Sequence, residues 1–465
     1  MELLSLIKIK TMKIIFSILL FSVVSQINAQ CWKSIAGGGL HSIAIKTDGT
    51  LWAWGYNGQG EIGDGTLIDK SLPTQISTST NWQSIAGSYA HSLGLKTNGT
   101  LCGWGYNSYG QVGDGTYTSK AIPTQIGIDN NWKLISCGGY HNLAIKANGT
   151  LWAWGRNNFG ELGDGTNTIR NTPIQIGSSS NWLSIACGYG HSLAIKTDGT
   201  LWAWGDNTDG QLGDGTNVSK NTPIQIGTGN NWKLIVYASG HSLAIKTDGT
   251  LWAWGDNYFG GLGDGTNISK NLPTQIGTDN NWLAIAGGYR YSLAIKTDST
   301  LWSWGENIQG QLGDGTNISN NSPQQVGTYT NWCAITGGGS HSSAIRADST
   351  MWAWGANQKG QLGDGTLIDK YTPISVTCQV IGIEEYLYNS NFHLIYPNPS
   401  SNILNLKITD GKSIESYSIM DILGRKVLEQ KENSTQINIE GLNKGIYQLL
   451  ITSEGKSYTS KFIKE

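Results

Sequence analysis

Six of the seven histidines stand at intervals of 50 residues, His41, His91, His141, His191, His241 and His341, and Tyr291 fills the remaining place. A ring of histidines suggests a metal centre. Two imidazole nitrogens on one zinc ion lie at most about 4.2 Å apart, whereas packed sheets sit about 10 Å apart, so one histidine per repeat converges poorly. The expectation is a repeated structural hydrogen bond and no bound metal. Aspartates recur in the same way: Asp64, Asp114, Asp164, Asp214, Asp264, Asp314 and Asp364 each stand in Gly-Asp-Gly-Thr. Asp between glycines suits a tight turn whose carboxylate accepts backbone N–H groups. Calcium is the alternative ligand there, limited by one carboxylate per turn. Gly58, Gly60 and Gly63 spell G-x-G-x-x-G, but no helix follows, so no dinucleotide and no cofactor is expected. No metalloprotease helix motif, Cys-x-x-Cys pair or nucleophile elbow is present.

Positions that vary between repeats carry a different chemistry. After Trp54-Gly55 and its counterparts come Tyr56, Gln59, Tyr106, Tyr109, Arg156, Phe159, Asp206, Asp209, Asp256, Tyr258, Phe259, Glu306 and Lys359. Before the histidine position come Leu40, Tyr89, Tyr140, Tyr189, Tyr237, Tyr289 and Arg290. Tyrosine and arginine are the anchors that binding hot spots use, and aromatic faces also stack on sugars. Drift at exposed turns is the plain alternative. The carboxylates Asp206, Asp209, Asp256 and Glu306 fall on neighbouring repeats, which suits a polysaccharide-acting enzyme.

The elements that must position these residues follow from periodicity. The chain has 465 residues, 63 Gly, 20 Trp and only 6 Phe, with 31 basic against 33 acidic residues. So much Gly, Trp, Thr and Asn disfavours helices, and the tryptophan load excludes disorder. Asn81-Trp82 recurs at 131, 181, 231, 281 and 331, and Cys31-Trp32 opens the series. Seven units fill residues 31–380. Each holds strand signals at Trp32–Ala36, His41–Lys46, Thr50–Trp54 and Pro73–Ile76, with Asp48-Gly49 as a hairpin turn. Four short strands make a sheet too small to bury itself, and stacked around an axis such sheets form an all-β propeller of seven blades with tryptophans between them. Ring closure is expected from a Cys31–Cys378 disulfide, with an exchanged strand as the alternative. Cys137 and Cys187, at one repeat position, read as buried thiols or as a bridge.

Residues 1–30 read as a secretory signal: Lys13 precedes the mostly apolar run Ile14–Val24, and Ala29 offers a cleavage point, with Met12 an alternative start. Cys31 directly after the signal raises a lipoprotein alternative. No later run of 18 apolar residues spans a membrane. Residues 381–392 form a linker. From 393 to 465 tryptophan disappears and short strands alternate with turns, as in a small β-sandwich.

Trp54-Gly55, Asn57, Gly60, Ile62-Gly63, Gly65 and Pro73, with the following Ile85-Ala86-Gly87 and His91-Ser92, resemble the regulator of chromosome condensation repeat. The resemblance covers residues 31–380 and implies a seven-bladed propeller. The family's nuclear activity does not carry over, because the chain reads as secreted and its repeats carry 19 basic against 22 acidic residues, no field for nucleic acid. The resemblance includes secreted bacterial members that use one propeller face for binding, among them a protein inhibitor of β-lactamases. Tyr396-Pro397-Asn398-Pro399, Ile403–Leu406, Tyr417–Asp421, Gly424-Arg425, Gly445–Leu449 and Lys461–Lys464 resemble the C-terminal sorting domain of type IX secretion cargo. That resemblance implies export through the periplasm and outer membrane, with the type IX machinery as partner of residues 393–465.

The expected function is a secreted or cell-surface, non-enzymatic binding module that takes a protein or glycan on its variable loops. The alternatives are an extracellular polysaccharide-acting enzyme and a protein inhibitor of a secreted hydrolase.

Overall fold

The computed structural model of the chain describes residues 31–377 and, toward the C-terminus, residues 393–396, 400–408, 414–421, 425–430, 434–453 and 456–464. The expected signal at 1–30 and linker at 381–392 lie outside the described residues. The chain separates into two compact units, divided between residues 380 and 381.

In the first unit each 50-residue repeat becomes one four-stranded antiparallel sheet made of consecutive strands. Blade 1 holds β1 (Trp32–Gly37), β2 (His41–Lys46), β3 (Leu51–Gly55) and β4 (Lys70–Ser77). The β2–β3 turn works as its residues suggest, with Gly49 at φ +82° and the Thr50 amide donating to Asp48 Oδ1 at 2.9 Å. The fourth strand starts three residues earlier than Pro73 because Lys70 pairs with Gly55 across an irregularity in the ladder. Every β4 carries a proline, Pro73 in blade 1 and its six counterparts, on the outer edge of the ring. Proline there removes a donor from an exposed edge and guards against sheet-to-sheet association.

The apolar cores lie between blades. Ile43, Ile45, Leu51 and Ala53 of blade 1 pack on Trp82, Cys102 and Trp104 of blade 2, and Trp32, Trp52 and Trp54 pack on Ile345, Met351 and Leu362 of blade 7. Each buried ring of this size stabilises by up to about 3 kcal/mol. Trp54 also carries a polar link: its indole N–H donates to the Gln361 carbonyl of the preceding blade at 2.9 Å, and Ser42 donates to that same oxygen at 2.8 Å. Trp104 and Ser92 do the same at the Glu61 carbonyl, 2.8 and 2.9 Å. The motif recurs in all seven blades. Glycine is obligatory beneath the indole, since a Cβ on Gly63 would stand 2.8 Å from Trp104 Nε1.

The histidines complete this belt. His41 Nε2 meets the Ser92 hydroxyl of the next blade at 2.9 Å, and His341 Nε2 meets Ser42 at 3.0 Å, closing the ring between blades 7 and 1. Because the serine proton goes to a carbonyl, the imidazole Nε2–H donates and the ring stays neutral. His91 donates to Asn142 Oδ1 at 2.7 Å instead, and in blade 6 Tyr291 donates to the His341 carbonyl. This is the structural hydrogen bond expected of the repeat. Among the described residues no cluster of three or more His, Cys, Asp or Glu side chains is grouped to hold a metal ion. No strand is exchanged around the ring among the described residues. Cys31 is disulfide-bonded, and Cys378, its expected partner, lies outside the described residues. Cys137 and Cys187 are buried free thiols.

In the second unit a three-stranded sheet (His393–Tyr396, Ile403–Ile408, Gln436–Asn438) and a four-stranded sheet (Lys426–Gln430, Ser416–Met420, Gly445–Ser453, Lys456–Lys464) share one core. Leu404, Leu406 and Ile437 from one sheet meet Tyr417, Ile419, Leu449 and Phe462 from the other, which makes a small sandwich.

The belt has a pH signature. Burial holds His41, His191 and His241 down at about 3 and His91 and His341 at about 4, and His141 well below its ordinary value. In the unfolded chain an imidazole takes its proton near pH 6.5, so between that value and about 4 the unfolded state binds more protons. The propeller is therefore expected to lose stability as pH falls through this window, by about 2 kcal/mol per histidine at pH 5. Unfolding midpoints measured from pH 8 to pH 4.5 check this. His191→Tyr, which copies Tyr291 and likewise has a glycine beneath it, should flatten the slope.

Candidate functional site

Antiparallel strands place the β1–β2 and β3–β4 connections at the same end of every blade. They touch there: the Tyr56 amide donates to the Leu40 carbonyl at 2.8 Å, Arg156 to Tyr140 at 2.9 Å and Glu306 to Arg290 at 3.0 Å. The two variable patches thus share one face. Each β3–β4 loop is held by its asparagine: Asn57 Nδ2 donates to Asp64 Oδ1 at 3.0 Å and its Oδ1 accepts the Ile62 amide at 3.0 Å. Asp64 in turn accepts the Thr66 amide at 2.9 Å and pairs with Lys70 at 3.2 Å, so the Gly-Asp-Gly-Thr carboxylate is a building element. Hydrogen bonds from Thr66 and the Lys70 ammonium hold that carboxyl below its ordinary value despite desolvation. Gly58, Gly60 and Gly63 lie in this loop, which leads into a strand.

On this rigid base the varied side chains form two clusters. In the first, Tyr140 lies 5.3 Å from Tyr109, 5.7 Å from Tyr89, 5.8 Å from Tyr189 and 6.0 Å from Tyr106. The Arg156 guanidinium sits against these rings, 5.2 Å from Tyr140, 5.0 Å from Tyr189 and 5.6 Å from Phe159. Burial and neighbouring tyrosines, Tyr189 foremost, push the Tyr140 hydroxyl above its ordinary value. In the second cluster Arg290 lies 5.1 Å from Phe259, 5.0 Å from Tyr289 and 3.8 Å from the Asp256 carboxylate, and Phe259 packs on Tyr258 at 4.9 Å. Arg290 has φ +77°, a conformation rare outside glycine and costing on the order of 1 kcal/mol. Burial, then the Asp256 and Asp206 carboxylates, raise Asp209, while Arg290 opposes the rise. Burial also raises Glu306, offset by Arg290. Asp206 lies between the clusters: Arg156, Phe159 and Asp206 all approach Gly190 to within 3.4 Å of where a Cβ would stand. Tyr56 stands apart, with the Lys359 ammonium 5.3 Å from its ring.

Sequence reasoning named Tyr237 in the patch before the histidine position without its place at the channel, and left a second feature of this face undescribed. Tyr237 occupies the channel-facing position where Gly37, Gly87, Gly287 and Gly337 leave none, and with Ile235 and Cys137 it lines a central cavity of about 230 Å³. Its signal is a single bulky residue in a column of small ones. The second is the column Glu61, Gln111, Glu161, Gln211, Gly261, Gln311, Gln361. In blade 3 Glu161 is fully buried and pairs with Arg156 Nε at 2.8 Å, while Arg156 also donates to the Tyr189 carbonyl at 2.7 Å. At the opposite end of the ring the β4–β1 connections also vary, with Ile128 and Tyr329 exposed, but a cation–tryptophan stack repeats there. Lys46 lies 3.4 Å from the Trp52 ring centre, Lys146 3.7 Å from Trp152, Lys196 4.0 Å from Trp202, and blades 5, 6 and 7 repeat the stack.

A family model described as an RCC1-like domain matches residues 127–388, more than half of the chain. The chain belongs to this RCC1-like family. Regulator of chromosome condensation repeat models match residues 48–95 and 98–145, and also 32–61 and 82–111. A secretion system C-terminal sorting domain matches residues 394–465. Among solved structures, human WBSCR16 shares 22% identity over 71% of this chain and 94% of that one, TM-score 0.65. Prp20p from Saccharomyces cerevisiae shares 23% identity over 74% of this chain and 88% of that one, also at TM-score 0.65. At such identity these likenesses show the fold alone. The Arabidopsis thaliana RCC1 domain-containing protein RUG3, mitochondrial, is 40% identical over 42 residues, so this chain spans about a tenth (9%) of that relative's length. The sorting tail marks this RCC1-like propeller for export, to the cell surface or the medium. Among the described residues no helix is long and apolar enough to cross a membrane. None of the matched families is a catalytic one.

The buried Arg156–Glu161 pair yields a stability prediction. Arg156→Ala leaves a buried carboxylate without its cation and should cost about 3 kcal/mol. Adding Glu161→Gln should recover most of that loss, because Gln111, Gln211, Gln311 and Gln361 accept the same loop amide as neutral groups. Denaturant unfolding of the two variants measures both effects, and a double variant no more stable than the single one contradicts the charge argument.

Proposed function

We propose that the mature chain is a non-enzymatic binding module, exported through the periplasm and outer membrane by the type IX machinery acting on residues 393–465. It recognises a protein or glycan through the end of the propeller where the β1–β2 and β3–β4 connections meet. One observation carries this reading: the variable side chains at that end gather into contiguous clusters of aromatic rings and arginines, whereas the other end repeats a cation–tryptophan stack in six blades. Neutral drift would scatter the variation, whereas here it assembles tyrosines and arginines into contiguous clusters beside the channel mouth, the composition of binding anchors. Several of these rings stand well out of the surface, Tyr89 at 52% and Tyr258 at 72% exposure. The net charge of −2 supports a partner other than nucleic acid. Inhibition of a secreted hydrolase is one form such binding takes, and stoichiometric loss of that hydrolase's activity identifies it.

A second reading rests on a specific observation. Asp209 is a carboxyl raised by burial and by two carboxylate neighbours, and it borders a cleft of about 400 Å³ with Lys270, Asn217 and Asn271. A carboxyl raised by burial beside other carboxylates is the arrangement of a general acid in glycoside hydrolysis. Polysaccharide hydrolysis abolished by Asp209→Asn, with unchanged unfolding behaviour, selects this reading.

The binding reading is tested by affinity capture from the native surface and medium, with the mature chain and a variant carrying Tyr89→Ala, Phe159→Ala, Tyr258→Ala and Tyr289→Ala as parallel baits. The expected outcome is a protein or glycan held by the native bait and lost from the variant. A partner held equally by both places recognition elsewhere.

A further inference from the structure

The repeat column at residue 61 contains an unbalanced charge. Four blades place glutamine there and blade 5 places Gly261, so the loop needs only a neutral acceptor for its own amide. Two blades place a carboxylate. In blade 3 the chain supplies the cation itself: Arg156 binds Glu161 and the Tyr189 carbonyl, with its guanidinium flanked by Tyr140, Phe159 and Tyr189. In blade 1 Glu61 Oε2 accepts the Gln59 amide at 2.8 Å, but Oε1 is buried and meets no donor, and the residue is 1% exposed. Burial pushes this carboxyl up to about 7, offset in part by the amides of Gln59 and Glu61. An uncompensated buried carboxylate is costly, and glutamine would remove the charge, leaving at most a neutral amide nitrogen without a partner, as in blades 2 and 6.

Of the three rings around Arg156 in blade 3, blade 1 keeps one, and Gln59 stands for Phe159. Tyr89 is the counterpart of Tyr189, Leu40 of Tyr140, and Tyr56 stands where Arg156 begins. The Tyr56 hydroxyl packs where a Cβ on residue 58 would stand, and Gly58 is glycine in this blade alone, so this ring rests on space that no other blade provides. The nearest ammonium on this ring, Lys359, lies 5.3 Å from the Tyr56 ring centre and 3.5 Å from Asp69.

We propose that blade 1 carries a guanidinium-binding site, centred on Glu61 beneath Tyr56, that receives an arginine side chain from a protein docked on this face. The guanidinium takes the place that Arg156 occupies in blade 3: it pairs with Glu61 Oε1 and lies against the rings of Tyr56 and Tyr89. Tyr56 swings off Gly58 to admit it. Charge-assisted pairing with a planar cation over aromatic rings favours arginine over lysine. This rests on the binding reading above and names the partner's chemistry, a protein segment that presents arginine.

The test uses a defined ligand, acetyl-arginine amide, and the full mature chain labelled at glutamate side-chain carboxyls for carbon-13 NMR. The Glu61 resonance is assigned by its loss in Glu61→Gln. At about 50 mM ligand, above the millimolar affinity expected of so small a molecule, the Glu61 titration midpoint should fall by at least about one pH unit. Acetyl-lysine amide should move it less. Tyr56→Arg, which copies blade 3, should lower the midpoint without ligand and abolish the response to it. A midpoint unmoved by arginine amide, or moved equally by lysine amide, overturns the site. Because the ligand reports on Glu61 directly, that failure is distinct from failure to capture a partner: a protein lost from the alanine bait but indifferent to Glu61→Gln keeps the face and removes this site.

Discussion

The ring depends on one backbone carbonyl per blade. The oxygen of Gln361, Glu61, Gln111, Glu161, Gln211, Gly261 or Gln311 accepts two hydrogen bonds from the following blade, an indole N–H and a serine hydroxyl or asparagine amide. In six links the same serine or asparagine accepts from the histidine of the blade before it, and in the seventh Tyr291 donates to the His341 carbonyl, so each link locks the next. These groups are buried, and leaving any of them unpaired would cost a desolvation penalty, which makes the belt cooperative rather than a sum of seven contacts. The tryptophans add apolar burial on the same seam. Glycine then becomes compulsory at position 63 and its counterparts, where the neighbouring indole leaves no room for a side chain.

A seam satisfied by repeated residues frees the loop tips from structural duty. Asn57 and Asp64 hold each long loop from below, and the residues between Gly55 and Asn57 and beyond are left to vary. At the opposite end a cation stacks on tryptophan in six blades, lysine in five and Arg346 in blade 7, which is the pattern of scaffold. The Arg156–Glu161 pair shows the boundary between the two regimes: a position that is neutral elsewhere has gained a charge together with the residue that neutralises it.

Much of this was legible in the chain itself. The period of 50 residues, the turn residues and the tryptophan columns lead to seven sheets, and burial on both sides of β2 follows from Ile43, Ala44 and Ile45. The sharing of a face by the two variable patches needed strand direction in addition to spacing. Tyr237 reads as one more tyrosine until its column is seen to be glycine or cysteine elsewhere. The role of Glu61 and Glu161 was hidden because a Glu-for-Gln exchange looks like drift on a surface. Only burial, set by the loop's fold over its own asparagine, turns that exchange into a charge that must be answered.

The claim that function resides at one end of the propeller is most directly tested by hydrogen–deuterium exchange of the mature chain, free and bound to the partner it captures. The account predicts slowed exchange in residues 38–40 and 56–69 and their counterparts, with the turns at 47–50 and their counterparts unchanged. Slowing confined to those turns, or to residues 393–465, would contradict it.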